Sequence, residues 1–249
     1  MKLMFVLVIL FTQGAFADEI YELNTPKRQT ILTPFKTNKD GSVNVAFFDA
    51  DSTLRVTKSG SLSPNSPSDY IILPNVTKTL TDLYKQGYLI VIVSNQGGIP
   101  KFVSLEKAEL SFKYLIRDLS NNGAKVHYFD FAENYDENRK PEIGMARRLE
   151  LALKQRGAFM NKENSFMVGD AAYKKSLKDQ PAEIRPDGRE GFNFSNSDRL
   201  FAENYGIRFI EPQHFFKWAD HGIDVIDNMN AYYRYQKAKK LTRCRVVFN

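Results

Sequence analysis

The sequence of 249 residues has few of the residues that build disulfides and transition-metal sites. Its single cysteine, Cys244, cannot form a disulfide within the chain and rules out zinc sites made of several cysteines. The three histidines are scattered without metal-ligand spacing, so we interpret them as ordinary surface or packing residues: His127, His214 and His221. The pattern Gly-x-x-x-x-Gly-Lys-Ser/Thr is missing, which excludes a P-loop. Because no disulfide can form within the chain, the fold must depend on its hydrophobic core.

The N-terminal apolar stretch is too short to be a stable membrane anchor. It runs from Leu3 to Thr12, follows the positive Lys2, and precedes the small-residue sequence Ala15-Phe16-Ala17. This order predicts a secretory signal peptide over residues 1–17, cleaved near Ala17, with an uncleaved anchor as the alternative. We therefore expect a secreted or periplasmic protein that does not contact the membrane after cleavage.

The remaining chain has the composition of a globular protein, with 43% apolar and 26% charged residues overall. We divide it into an N-terminal extension (18–42), one domain (43–218) and a basic helical C-terminal tail (219–249). The excess of 35 basic over 29 acidic residues is compatible with a polyanionic partner but does not demonstrate one. Four basic residues of the tail fit either phosphate contacts or a solvated helix end: Lys239, Lys240, Arg243 and Arg245.

The stretch from Val43 to Arg55 organises the chain. An apolar run rich in valine and phenylalanine predicts a buried strand, and it stops at Asp49 and Asp51, which flank Ala50. Two close carboxylates repel each other unless a cation holds them, and Mg²⁺ is a suitable partner for such oxygens. A strand end followed by an ordinary polar turn is the alternative.

Strands and helices alternate along the chain. Strands are predicted at 43–48, 88–93, 126–131, 165–168 and 208–210, and helices at 75–86, 104–121, 141–156 and 199–204. Residues 55–69 predict a basic loop or hairpin, and 173–197 a long loop. The alternation is typical of an α/β fold, a doubly wound and mostly parallel sheet with helices on both faces.

Polar residues mark four element ends of this predicted fold. They are Asp49 with Asp51, then Ser94, Lys140 and Asp170. The carboxyl ends of neighbouring parallel strands share one edge of a sheet, where ligands bind, so we expect these groups to meet there. Carboxylates that hold Mg²⁺, together with a hydroxyl and an ammonium that neutralise phosphoryl oxygens, suit phosphoryl transfer.

These residues also resemble the motifs of the haloacid dehalogenase superfamily. Phe47-Phe48-Asp49-Ala50-Asp51-Ser52-Thr53-Leu54 is similar to its first motif, and Ser94, Lys140 and Gly169-Asp170 to the other three. Further segments resemble the polynucleotide 3′-phosphatase branch, including residues 94–99, 139–145, 168–172 and 197–206. The resemblance covers about residues 43–218 and implies this superfamily's fold.

The resemblance also implies roles for individual residues. Asp49 would be the nucleophile and a metal ligand, and Asp51 the general acid and base, with its backbone carbonyl towards the metal. Ser94 and Lys140 would hold the phosphoryl group. The remaining candidates are the metal ligands Asp170 and Asp198 and the substrate-binding residues Thr53, Arg55 and Asn95.

The implied activity is Mg²⁺-dependent removal of 3′-phosphates from DNA or RNA ends through an aspartyl-phosphate, by a protein expected to be a monomer. Ser52 departs from the family pattern, in which glycine is usual, and without a P-loop we expect no 5′-kinase half in this sequence. A secretory signal is unusual for a repair enzyme and favours extracytoplasmic nucleic acid or nucleotides as substrate. Two alternatives stay open: a phosphatase of small nucleotide or sugar phosphates, and a non-catalytic nucleic-acid-binding protein.

Overall fold

The structure is a computed structural model that describes residues 26–61 and 64–221. The predicted signal peptide and nearly all of the predicted basic tail lie outside the described residues, and so does Cys244.

Five parallel strands form the central sheet. The strands of the described chain are β1 (Ser42–Val43), β2 (Val45–Phe48), β3 (Arg55–Val56), β4 (Ile71–Ile72), β5 (Leu89–Asn95), β6 (Tyr128–Ala132), β7 (Phe159–Met160), β8 (Phe166–Val168) and β9 (Arg208–Ile210). The sheet has the spatial order β6-β5-β2-β8-β9. The chain therefore starts in the middle of the sheet and builds outwards in both directions, which confirms the predicted doubly wound architecture.

Helices cover both faces of this sheet. They are α1 (Val76–Lys85), α2 (Leu105–Asn121), α3 (Gly144–Lys154), α4 (Ser197–Tyr205) and α5 (Pro212–Phe215), followed by a 3₁₀ turn at Trp218–His221. Alternate residues of β2 point to opposite faces, so Phe48 packs with α1 and α2, whereas Phe47 packs with α3 and α4. Burial on both faces explains the continuous apolar runs of β2 and β5.

Two predicted elements differ from the structure. The strand predicted at 43–48 is divided, because Ser42–Val43 pairs with β7 in a separate two-stranded sheet. The helix predicted from residue 141 begins at Gly144, since a turn precedes it, in which the amide of Gly144 donates to the Glu137 carbonyl. A β-carbon at Gly144 would collide with this turn, which explains the glycine.

The predicted basic segment after Asp51 forms a hairpin in which β3 pairs antiparallel with β4. Asp69 stabilises it by accepting hydrogen bonds from the Ser59 amide and hydroxyl and the Asn65 amide. Burial alone would raise the pKa of Asp69, but these bonds outweigh it and lower that pKa. The long loop predicted at 173–197 contains isolated bridges and no helix or longer strand up to residue 196, and α4 begins at Ser197.

Candidate active site

The carboxyl ends of β2, β5 and β8 lie side by side, which brings the predicted polar residues together. Phe48, the last residue of β2, pairs with Ile92 of β5 and with Val168 of β8. The next residue, Asp49, donates its amide to the Val168 carbonyl at 2.9 Å. One edge of the sheet therefore carries the acids that follow β2, Ser94 of β5 and Asp170 after β8, as the sequence predicted.

Three carboxylates converge at this edge. One oxygen from each of Asp49, Asp170 and Asp198 lies within 4.8 Å of the others. Asp198 arrives from the first turn of α4, where its Oδ2 accepts a hydrogen bond from the Ala171 amide at 3.0 Å. A β-carbon on Gly169 would overlap the Asp198 carboxylate, so only glycine allows this approach.

Lys140 joins two of these acids. Its side chain is buried, and Nζ lies 2.6 Å from Oδ1 of both Asp49 and Asp198 while donating to the Val93 carbonyl at 2.8 Å. Asn95 fixes the backbone at this point: its Nδ2 donates to the Lys140 carbonyl, and its Oδ1 accepts from the Lys140 amide, both at 2.9 Å. These contacts fix both the backbone of Lys140 and the position of its ammonium group.

The pKa values of Asp49, Asp170 and Lys140 reflect burial together with the surplus of carboxylates over ammonium groups in this cluster. Burial raises the pKa of Asp49 to about 7 against the opposing effect of Lys140, and the charges of Asp198 and Asp51 raise it further. Burial, followed by the charges of Asp49 and Asp198, raises the pKa of Asp170 well above its ordinary value. Burial would lower the pKa of the Lys140 ammonium, but Asp198 and Asp49 outweigh it and raise that pKa.

The cluster fits a divalent cation. With all three carboxylates ionised, as cation binding would favour, they and the Lys140 ammonium sum to a charge of minus two. The three candidate metal ligands are all carboxylate oxygens, which suits Mg²⁺. Thr53 fixes Asp170, because its Oγ1 accepts from the Asp170 amide at 3.1 Å and lies 3.4 Å from Oδ1. Asp49, Asp170 and Asp198 would hold the ion.

Asp51 lies in a different environment from the metal-binding cluster. Arg55 Nε donates to its Oδ1 at 2.9 Å, and Gln96 Nε2 donates to its Oδ2 at 2.8 Å. Gln96 also donates to the Ser94 hydroxyl at 3.1 Å. Both oxygens of Asp51 are therefore oriented by side chains, whereas the role of its backbone carbonyl towards a metal stays a prediction.

Gln96 is the functional candidate that sequence reasoning missed, although it lies inside the segment 94–99 that carried the family resemblance. Its position two residues after Ser94, near the end of a buried strand, could have identified it. Arg55, predicted to bind substrate, is buried, and its Nη1 donates to the Ser111 hydroxyl at 2.8 Å. The observed contacts of Arg55 and Asn95 position Asp51 and Lys140, and their contact with substrate stays a prediction.

The first motif departs from the family pattern at a position where glycine has a physical advantage. Ser52 has a φ of 62°, in the left-handed region that side chains rarely adopt. Its amide donates to the Arg55 carbonyl at 2.8 Å, which closes the turn after Asp51. The serine therefore keeps the turn without removing any ligand from the site.

Comparisons with known proteins extend these observations. The sequence profile of the family described as Polynucleotide kinase 3 phosphatase matches residues 44–216. An uncharacterised 20.8 kDa protein of Autographa californica nuclear polyhedrosis virus is 33% identical over 177 residues, which is 70% of this chain and 85% of that protein. The bifunctional polynucleotide phosphatase/kinase of Schizosaccharomyces pombe is 34% identical over 170 residues, 68% of this chain and 36% of that protein.

A putative bifunctional polynucleotide phosphatase/kinase of Acanthamoeba polyphaga mimivirus is 28% identical over 181 residues, 70% of this chain and 42% of that protein. This chain thus spans less than half of the two bifunctional relatives. Within the described residues, no helix is long and apolar enough to cross a membrane.

Proposed function

This chain belongs to the polynucleotide kinase 3 phosphatase family, within the haloacid dehalogenase superfamily, and from this premise we propose that it removes 3′-phosphates from DNA or RNA ends in a Mg²⁺-dependent reaction. Membership of this family and superfamily supports phosphatase activity of this type. The substrate, the metal and secretion are our proposals.

The arrangement of the acids supports the reaction. An Asp49 oxygen attacks the phosphorus, and the bond to the 3′-oxygen of the sugar breaks as Asp51 gives that oxygen a proton. Asp51 then takes a proton from a water molecule, whose oxygen attacks the phosphorus, frees Asp49 and yields inorganic phosphate. Ser94 and Lys140 hold the phosphoryl oxygens throughout. The bound Mg²⁺ would neutralise negative charge on the phosphoryl group.

One observation carries this proposal: the two acids that flank Ala50 have different partners. Asp49 lies against Lys140 and the other cluster carboxylates, whereas both oxygens of Asp51 are held by Arg55 and Gln96. A nucleophile and a general acid need separate environments, because the nucleophile must be ionised, as a cation beside Asp49 would favour, while the general acid exchanges a proton.

Phosphate release tests the proposal. The protein is incubated with a 3′-phosphorylated oligonucleotide, with or without Mg²⁺, and inorganic phosphate is measured. Asp49→Asn should abolish release, whereas Asp179→Asn, a matched change at an exposed aspartate of the long loop, should leave it unchanged. Equal release by Asp49→Asn and the unchanged protein would reject Asp49 as nucleophile. Turnover of a sugar phosphate but of no 3′-phosphorylated nucleotide would favour the small-substrate alternative.

We also propose that the protein is exported and that its mature chain begins at Asp18, as the order of Lys2, the apolar stretch and Ala15-Phe16-Ala17 suggests. Intact mass measurement of protein from the exported fraction should give this N-terminus. Ala17→Leu should block cleavage, because the peptidase site requires a small residue. A cell-retained chain that still carries residues 1–17 would contradict export.

A further inference from the structure

A groove opens next to the candidate active site. Its volume is about 1110 Å³, and its walls come from the hairpin, the turn after β5, the start of α2 and two loops. Gly97 in its wall directly follows Gln96, and Arg139 directly precedes Lys140. The groove wall is therefore continuous in sequence with Gln96, which contacts Asp51, and with Lys140, which contacts Asp49.

Three of the most exposed aromatic side chains of the described residues line this groove. Phe102 is 72% exposed, Tyr135 84% and Phe194 70%. They come from three segments that are distant in sequence, so the fold has gathered them. Single exposed apolar side chains are common on protein surfaces, but several that line one groove indicate a binding surface.

Basic side chains accompany these rings. Nζ of Lys101 lies 5.1 Å from the centre of the Phe102 ring, and the Arg139 guanidinium lies 4.1 Å from that of Tyr135. Lys107 adds a third positive charge, and no acidic side chain lines this groove in the part of the chain that the structure describes. Nη1 of Arg139 is buried without a hydrogen-bond acceptor among the described residues.

Aromatic faces interleaved with positive charges match the chemistry of a single nucleic-acid strand. Bases stack on the rings, whereas lysine and arginine side chains neutralise the phosphates. In a duplex the bases already stack on each other and are paired, so they cannot also stack on protein side chains without unpairing. A mononucleotide offers only one base, which belongs to the reacting nucleotide.

We propose that this groove binds the unpaired nucleotides that precede the reacting 3′-phosphate, with bases stacked on Phe102, Tyr135 and Phe194. This inference rests on the proposed function, since it places the reacting end at Asp49 and the upstream strand in the groove. The substrate class is then a single-stranded 3′-phosphorylated end of about four nucleotides, the terminal one plus about one for each ring.

Turnover as a function of substrate length tests the groove. We compare kcat/KM for 3′-phosphorylated substrates of one, two, four and eight nucleotides, in DNA and RNA versions. The value should rise up to about four nucleotides. Phe102→Ala and Phe194→Ala should each lower kcat/KM about tenfold for the long substrates and leave the mononucleotide unchanged. Phe159→Ala is the matched control, because Phe159 is exposed but lies outside the groove wall.

Binding supplies a measurement that does not require turnover. Fluorescence anisotropy of a labelled eight-nucleotide strand is measured with the Asp49→Asn protein, and a blunt duplex with the same end is the competitor. The single strand should bind at least tenfold more tightly than the duplex, and Phe194→Ala should remove most of this preference.

The outcomes separate the groove from the proposed function. Turnover without length dependence, unaffected by the phenylalanine changes, would overturn the groove and keep the phosphatase. Strand binding that depends on the phenylalanines without any turnover would keep the groove and reject the phosphatase. Equal binding of the blunt duplex would also overturn the groove.

Discussion

Replacing Gln96 by methionine should slow the chemical step without weakening substrate binding. The change removes the 2.8 Å hydrogen bond from Nε2 to Oδ2 of Asp51 and keeps an unbranched side chain of similar length. A hydrogen bond to a charged group contributes about 1.5–3 kcal/mol, which corresponds to a decrease in kcat of about 10- to 150-fold. Arg55 still holds the other carboxylate oxygen, so Asp51 should keep part of its orientation.

The measurement is kcat and KM for a 3′-phosphorylated oligonucleotide as a function of pH. Because Gln96 acts through Asp51, Gln96→Met should lower kcat, leave KM nearly unchanged and alter the pH profile of kcat. Gln96→Glu should be worse, since it places a second negative charge beside Asp51. Gln86→Met is the matched control at an exposed glutamine that directly follows α1. A folded Gln96→Met protein with kcat within about twofold of the original would refute the positioning role.

Three further predictions follow from buried groups of the described chain. Gly169→Ala should destabilise the fold by about 1–3 kcal/mol in urea unfolding and weaken Mg²⁺ binding in calorimetry, because the new methyl group displaces Asp198; unchanged values for both would contradict this packing. Lys140→Met should abolish turnover, and Mg²⁺ should raise its Tm more than that of the original protein, because the cluster then has one more uncompensated negative charge; a smaller Mg²⁺ effect would contradict the charge balance. Burial lowers the pKa of His127 to about 4, so the unfolded chain binds more protons between about pH 4 and the ordinary value of 6.5. Stability from this group is complete above pH 6.5 and is lost as pH falls towards 4, by about 2–3 kcal/mol at pH 4.5. His127→Asn keeps an acceptor for the Ile90 amide and should remove this slope in unfolding measured at several pH values; an equal slope in both proteins would contradict it.

The sheet could be predicted because its signal is local. Strands buried on both faces consist of nearly continuous apolar residues, as in β2 and β5. The helices predicted at 75–86 and 104–121 repeat their apolar residues with helical spacing. Parallel order then places Asp49, Ser94 and Asp170 at one edge without any knowledge of side-chain contacts. The ends of strands were therefore more informative about the site than their interiors.

Contacts between distant segments could not be predicted from those patterns. Pairing of Ser42–Val43 with Phe159–Met160 joins residues that are far apart in the chain, and no periodicity marks it. The start of α3 at Gly144 depends on a turn whose carbonyl comes from Glu137. Local composition at Lys140-Pro141 favours an earlier helix start, so the tertiary turn overrides it.

Side-chain partners inside the site were also beyond the sequence. The family resemblance implied that Arg55 binds substrate, and the structure places its guanidinium 4.8 Å from the centre of the Phe112 ring. Asn95 lies beside Ser94, yet its amide is used to fix the backbone of Lys140. Sequence position identifies which residues reach the edge of the sheet, and packing decides which of them face the substrate.

The central claim is that Asp49 receives the phosphoryl group from a nucleic-acid 3′ end. Rapid acid quenching of the enzyme with a 3′-³²P-phosphorylated oligonucleotide and Mg²⁺ tests it most directly, followed by mapping of the labelled peptide. We expect protein-bound label on the peptide that contains Asp49, sensitive to hydroxylamine and absent from Asp49→Asn. Label of the same amount on Asp49→Asn, or on a peptide without Asp49, would contradict the account.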